Sequence, residues 1–294
     1  MYFNSLSEKD NDIIEKFLPK FTIQDLMDHG FHYGHKASKW NPSMRPYILG
    51  VRNGVHIIDL KKTHYMMTVA LLNLYKEIKD GKSVLFVCTN QATRAVVKEF
   101  AVKCGQPYVT HRWLGGMLTN WRTIVVSIKK IKKFEKILSE RDEKGRHQVY
   151  AKKEINKMSK ELDKLRVYFD GLRNVNSRPD NIIVFDAKKD DIAIKEAVKL
   201  RISPTVVCDT NCSTRDISYV IPSNNDSRKV VKFMSSLMCD TILSAIQEDV
   251  KSYKMNIKGD HSDAAKKSES LNSKIKAGLG IDVPKVETAE VSAS

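Results

Sequence analysis

Cysteine is scarce in this chain, and the few present are badly placed for a framework. Five occur, at 88, 104, 208, 212 and 239. An odd, scattered set excludes a disulfide scaffold and points to a reducing compartment. Long apolar runs are also missing. None approaches the ~20 residues that a membrane-spanning helix requires. The N-terminal stretch MYFNSLSEKDNDIIEKF is acidic and contains no Arg, unlike a signal or transit peptide. The chain is therefore expected to stay in the cytoplasm where it is made.

Enzyme motifs are equally thin. No G-x-G-x-x-G and no G-x-S-x-G occurs. Gly81-Lys82-Ser83 resembles the end of a phosphate loop, but Lys76 stands where its leading Gly belongs, and the tripeptide precedes its strand. His29, His32 and His35 are close enough in sequence to name a metal site. Gly30 and Gly34 break any helix there and no fourth ligand is near, so turn and packing roles are favoured. Cys208 reads as a small buried hydrophobe in a strand end rather than a ligand paired with Cys212. Asp186 and Asp209 each close an expected strand, where they fit caps better than catalytic carboxylates. The reading is therefore of a protein with no catalysis, no cofactor, no metal and no small-molecule substrate.

What is abundant is positive charge. Fifty Lys and Arg face 35 Asp and Glu, a net charge of +15, while 41% of residues are hydrophobic, enough for a core. Such a balance points to a polyanion, with nucleic acid ahead of an anionic membrane. The richest segment is His111–Trp121, HRWLGGMLTNW, with two of the three Trp and a Gly-Gly pair. It reads as a rigid, aromatic-packed turn launching a basic helix.

The chain divides by pattern. Residues 1–20 form a polar, weakly ordered arm. Residues 21–118 and 176–249 alternate apolar strands with helices, among them SVLFVCT, NIIVFD and TVVCD. This predicts a doubly wound α/β core with a mainly parallel sheet and helices on both faces. A helix over Phe21–His29 starts from Thr22 as N-cap, residues 30–54 are irregular, and the final helix spans Lys229–Glu248. Residues 119–175 interrupt the core. There Ile124, Ile128, Ile131, Phe134 and Leu138 share a helical face, and Ile155, Met158, Leu162, Leu165, Phe169 and Leu172 form a heptad seam. These predict an antiparallel coiled-coil hairpin inserted in the core, favoured over two ordinary helices packed on it because the outer faces are almost all charged. Residues 250–294 are polar and expected to be disordered.

Four blocks in order carry a family resemblance. They are GFHYGHKASKWNPSMRPYILGVRNGVHIID from Gly30, HRWLGGMLTNW, PDNIIVFDAKKDDIAIKE from Pro179, and DTNC from Asp209. The chain resembles the bacterial small-subunit ribosomal protein two family over roughly residues 21 to 248. The resemblance implies the α/β core with a protruding hairpin and a non-catalytic place on the small ribosomal subunit, between head and body. It also implies contact with ribosomal RNA and neighbouring small-subunit proteins, help in recruiting the largest of these, and a bacterial rather than organelle-encoded ribosome. An α/β enzyme acting on RNA and a non-ribosomal scaffold relative remain the alternatives. The sequence departs from the family where Ser213-Thr214-Arg215-Asp216 replaces Asp-Pro-Asp-Gly and where Lys199-Leu200-Arg201-Ile202-Ser203 replaces Lys-Leu-Gly-Ile-Pro. It departs again where Ser223 and Asn225 stand for Gly and Asp. Remodelled loops are expected there.

The RNA-binding candidates follow from charge. Lys36, Lys39, Arg45 and Arg52 cluster around Trp40, which either offers a ring for stacking or packs on the core beneath the loop. Arg112 and Arg122 bracket the Trp-Gly-Gly turn, which is either a tight turn with no ligand or one whose Gly115 and Gly116 aim backbone N–H groups at a phosphate, with Asn120 beside them. Lys129, Lys130, Lys132 and Lys133 crowd one stretch of the first hairpin helix, answered by Lys152, Lys153, Lys157, Lys160 and Lys164. From 111 to 170, sixteen Lys and Arg oppose eight Asp and Glu, more than a merely solvated face requires.

Overall fold

The computed structural model describes residues 7–139, 150–175 and 177–256. Its helices are α1 (Glu8–Phe17), α2 (Ile23–His29), α3 (Leu60–Lys79), α4 (Arg94–Lys103), α5 (Trp121–Ser139), α6 (Lys152–Phe169), α7 (Asp191–Lys199) and α8 (Arg228–Asn256). Its strands are β1 (Tyr33–Lys36), β2 (Ile48–Arg52), β3 (Val55–Ile58), β4 (Val84–Val87), β5 (Tyr108–Val109), β6 (Asn181–Val184), β7 (Thr205–Cys208) and β8 (Tyr219–Pro222).

Every residue of β4, β6 and β7 is buried, as in strands covered on both faces. They form a parallel sheet in the order β5-β4-β6-β7-β8. Alternate residues feed two cores. Phe86, Ile183 and Val207 point into one with Met67 and Leu71 of α3, Val97 of α4, and Met234, Met238 and Ile242 of α8. Leu85, Val87, Val184 and Val206 point into the other with Trp113, Leu118, Ile124 of α5 and Ala193 of α7. The fold is thus a doubly wound α/β sheet. Each large aliphatic side chain fully withdrawn from water stabilises it by roughly 1.5–3 kcal/mol before chain entropy is counted. The stretch 228–249 is long and apolar enough to cross a membrane. Its apolar residues are instead spent on α3 and α4 inside the core.

Two segments differ from the sequence reading. The polar N-terminal arm carries α1, capped by Ser7 and Asp10 in a reciprocal box. Ile13, Ile14 and Phe17 pack on the core, Leu18 is buried, and Phe17 stacks on Tyr75 at 5.4 Å. Four apolar residues at helical spacing suffice to dock a helix that is otherwise charged. Residues 1–6 lie outside the described residues. The stretch 30–54, expected to be irregular, holds two strands of a small antiparallel sheet, ordered β1-β3-β2.

In the insertion, α5 packs on α6. Ile124, Ile128, Ile131 and Phe134 are buried, as are Leu162, Phe169 and Leu172. Ile155, Met158 and Leu165 of the seam are only partly covered. The ion pairs Lys130–Glu161 and Glu135–Arg166 both join residues 31 apart. They do not converge toward the connection as rungs of an antiparallel coiled coil do, so these contacts alone do not define one. The connection 140–149 and the tail 257–294 lie outside the described residues, while α8 continues past Glu248 to Asn256.

Candidate nucleic-acid interface

The basic loop after β1 is held by the turn that leaves β7. Gly34 has no side chain for a reason: a Cβ there would meet Thr210 Cγ2 at 2.6 Å and His56 O at 3.0 Å. That close approach lets His35 N donate to Thr210 Oγ1 (2.8 Å) and Asn41 N donate to Thr210 O (2.8 Å). Asn41 Oδ1 caps the following 3₁₀ turn at Ser43 N (3.0 Å), and Ser43 Oγ donates to Cys212 O (3.3 Å). Met44 anchors the loop in the core. Lys36, Lys39, Arg45 and Arg52 are left exposed on this pinned segment, and none pairs with a described carboxylate. Trp40 is 37% exposed and rests on His56, with ring centroids 5.3 Å apart.

The Trp-Gly-Gly turn is organised around a residue that charge reasoning missed. Glu196 of α7 accepts Trp113 Nε1 (3.1 Å), Gly116 N (2.7 Å), Leu118 N (2.9 Å), Thr119 N (3.0 Å) and Thr119 Oγ1 (3.1 Å). Burial opposes its ionisation. The donors of Thr119, Trp113, Gly116 and Leu118 outweigh that effect and hold the carboxyl below its ordinary range. Gly116 has φ +91°, as a sharp entry into α5 requires; Gly115 does not share it. The expected aim of this turn at a phosphate is therefore corrected for Gly116: its N–H already serves an internal anion. Asn120 starts α5, its Oδ1 accepting from Thr123 Oγ1 (2.9 Å). Glu196 was visible as an acidic residue among the buried positions Ala193, Ile194 and Ala197 of its helix. Its partners, about 80 residues away, were not.

Arg112 and Arg122 are exposed on either side of the turn and make no ion pair with a described group. Along α5, Lys129, Lys132 and Lys133 are exposed and unpaired in the same sense. Lys130 differs, binding Glu161 and lying 5.3 Å over the Phe134 ring. Lys152, Lys153, Lys157, Lys160 and Lys164 are exposed on α6.

The three histidines do not converge. His29 Nδ1 bonds Asp25 O at 2.8 Å and its ring stacks on Phe233. His32 packs on Tyr33. His35 Nδ1 lies 3.0 Å from Asp209 Oδ2, and its Nε2 lies 3.5 Å from Asp226. No metal-holding group of three or more occurs among the described residues. Asp186 Oδ1 accepts Lys188 N and Lys189 N (both 3.0 Å), a cap as expected. Asp209 accepts Thr210 N and Oγ1 as well as His35.

Between β4 and β6 the order of strands reverses, the place where α/β sheets receive phosphates. Here Asp190, pushed up to about 6 by burial, fills it and accepts from Thr89 N (3.2 Å) and Oγ1 (2.8 Å). Asp186 lies beside it and raises it further. A cleft lined with carboxylates repels the phosphates that an α/β nucleotide enzyme would bind there.

Comparison with known proteins gives the family. The model of the family "Ribosomal protein S2" matches residues 26–245. The chain belongs to the ribosomal protein S2 family. Its relatives include the small ribosomal subunit protein uS2 of Rickettsia prowazekii, 44% identical over 256 residues, covering 86% of each chain. The uS2 proteins of Rickettsia felis (43%) and Rickettsia canadensis (44%) match over 257 residues, 87% of this chain and 86% of theirs. Members of the S2 family are structural ribosomal components, not enzymes.

At two of the departures in sequence, Arg201 (φ 57°) and Asp216 (φ 62°), which stand where the resemblance places Gly, the backbone is left-handed and carries a side chain. Asn225, in the third departure, is buried with its Oδ1 unpartnered.

Proposed function

We propose that this chain is a cytoplasmic, structural constituent of the bacterial small ribosomal subunit that binds ribosomal RNA between head and body. One observation carries the reading. Nine site cations (Lys36, Lys39, Arg45, Arg52, Arg112, Arg122, Lys129, Lys132 and Lys133) are exposed and free of described carboxylates. Proteins ordinarily intersperse such charges with opposite ones. A surplus of this kind gains affinity by displacing counterions from a phosphate backbone. The pinned loop and the α5 face supply charge on rigid supports, which suits recognition of RNA shape. On this reading α5 and α6 are the two arms of an antiparallel hairpin, and its neighbours include the largest small-subunit protein, which it helps to recruit.

The test is assembly. Tagged full-length protein should cosediment with small subunits in a sucrose gradient, and the variant Lys129→Ala/Lys132→Ala/Lys133→Ala should bind ribosomal RNA with a shallower salt dependence. Abundant free protein absent from the subunit peak would overturn the reading.

A further inference from the structure

Buried imidazoles nearly always find a hydrogen-bond partner. His56 on β3 does not: it is 7% exposed, and neither ring nitrogen is bonded. Nearby, His29 is satisfied by Asp25 O, His35 by Asp209 and His64 by Phe21 O, while His32 leaves its Nδ1 unpartnered against Tyr33; His56 alone of these leaves both ring nitrogens unbonded. Against His56 lies Trp40, tilted 43° to it and open to solvent on the loop that carries Lys36, Lys39 and Arg45. Arg52 projects from the neighbouring strand β2. An unsatisfied polar ring, a half-exposed indole above it and unpaired cations around both occur together in one place.

We propose that Trp40 and His56 form a receptor for an unpaired nucleobase of RNA. The proposal rests on the RNA-binding reading above and assigns it a chemical subsite. Trp40 turns outward, the base stacks on its face, and the base edge reaches the imidazole. A neutral imidazole offers one donor and one acceptor, and base edges carry both kinds of group. The cations hold the flanking phosphates. A duplex cannot use this site, because its bases are already stacked and its deep groove is closed to side chains.

The test uses the full chain with two probes, a short single-stranded RNA and a perfect RNA duplex of the same sequence, at several salt concentrations. His56→Phe keeps the ring and removes the two polar atoms, so its melting temperature should hold or rise. Its affinity for the single strand should fall about tenfold, while duplex affinity and salt slope stay unchanged. His56→Gln, which retains a donor and an acceptor, should restore much of the loss. Equal binding of both probes by wild type and His56→Phe would overturn the receptor but leave RNA binding standing. Failure of wild type to bind either probe would overturn the broader reading instead. Fluorescence gives a check that survives a misfolded variant. Single-strand binding should quench the part of wild-type emission that Trp40→Phe removes, and no quench would refute the stacking.

Discussion

Glu196 and Trp113, 83 residues apart, are joined by a hydrogen bond from the indole N–H to the carboxylate at 3.1 Å, and the whole Trp-Gly-Gly turn is wound around that carboxylate. The launch of α5 therefore depends on an anion supplied by α7.

Removing that anion should be costly. Glu196→Ala leaves four N–H donors and a hydroxyl without their acceptor, and about 3–5 kcal/mol of stability should be lost. Glu196→Gln keeps one acceptor oxygen and should lose about 1–3 kcal/mol. Denaturant melts of both variants decide this, and a loss below about 0.5 kcal/mol for the Ala variant would show the turn to be self-supporting.

Arg112 and Arg122 flank the same turn without taking part in it. Arg112→Ala and Arg122→Ala should melt within about 0.5 kcal/mol of wild type and yet enter small subunits poorly. Incorporation that declines only in proportion to stability would assign both residues to the fold instead of to RNA.

Arg201 and Asp216 hold a left-handed backbone that disfavours any residue with a Cβ. Arg201→Gly and Asp216→Gly should each stabilise the protein by roughly 0.5–1 kcal/mol, the relief of strain exceeding the added freedom of the unfolded chain. Thermal melts that fall on substitution would mean that the side chains make compensating contacts.

His35 gives the fold a dependence on pH. Its hydrogen bond to Asp209 raises the imidazole above 6.5 against the effect of burial, Asp226 adds to the rise, and Lys188 opposes it. A raised folded value means that the stabilisation is complete below the unfolded value and is lost as pH rises from there through the higher folded value. Wild type should therefore melt at higher temperature at pH 6 than at pH 8, and His35→Gln should flatten the difference. Parallel curves for the two proteins would refute the assignment.

Parts of this architecture were legible because of how fully buried parallel strands are built. SVLFVCT, NIIVFD and TVVCD need apolar residues on both faces, so each appears as an unbroken run. Of the small sheet β1-β3-β2, only β3 was legible, in VHIID, where buried and half-buried positions alternate. Strands β1 and β2 are four and five residues long and mostly exposed, so alternation never develops in them. Helix α1 was hidden by its charged faces. In the interface, the cations could be read directly as surplus charge. Their rigid mounting could not, because Thr210 and Cys212 meet the basic loop only in three dimensions. The heptad seam was legible as a pattern but not as burial: Leu162 is buried while Leu165, three residues on, is only partly covered.

The pairing of β4 with β6 also fixes an order of events during synthesis. Val84 lies opposite Asn181, 97 positions further on, so the centre of the sheet cannot close until the ribosome has made everything between them. All of α5 and α6 is translated in that interval. The most basic part of the chain thus emerges while its scaffold is still open and its apolar strands lack their neighbours. A nascent chain interrupted before Asn181 would present a strongly basic arm on an unfinished body, open to whatever polyanion lies nearest.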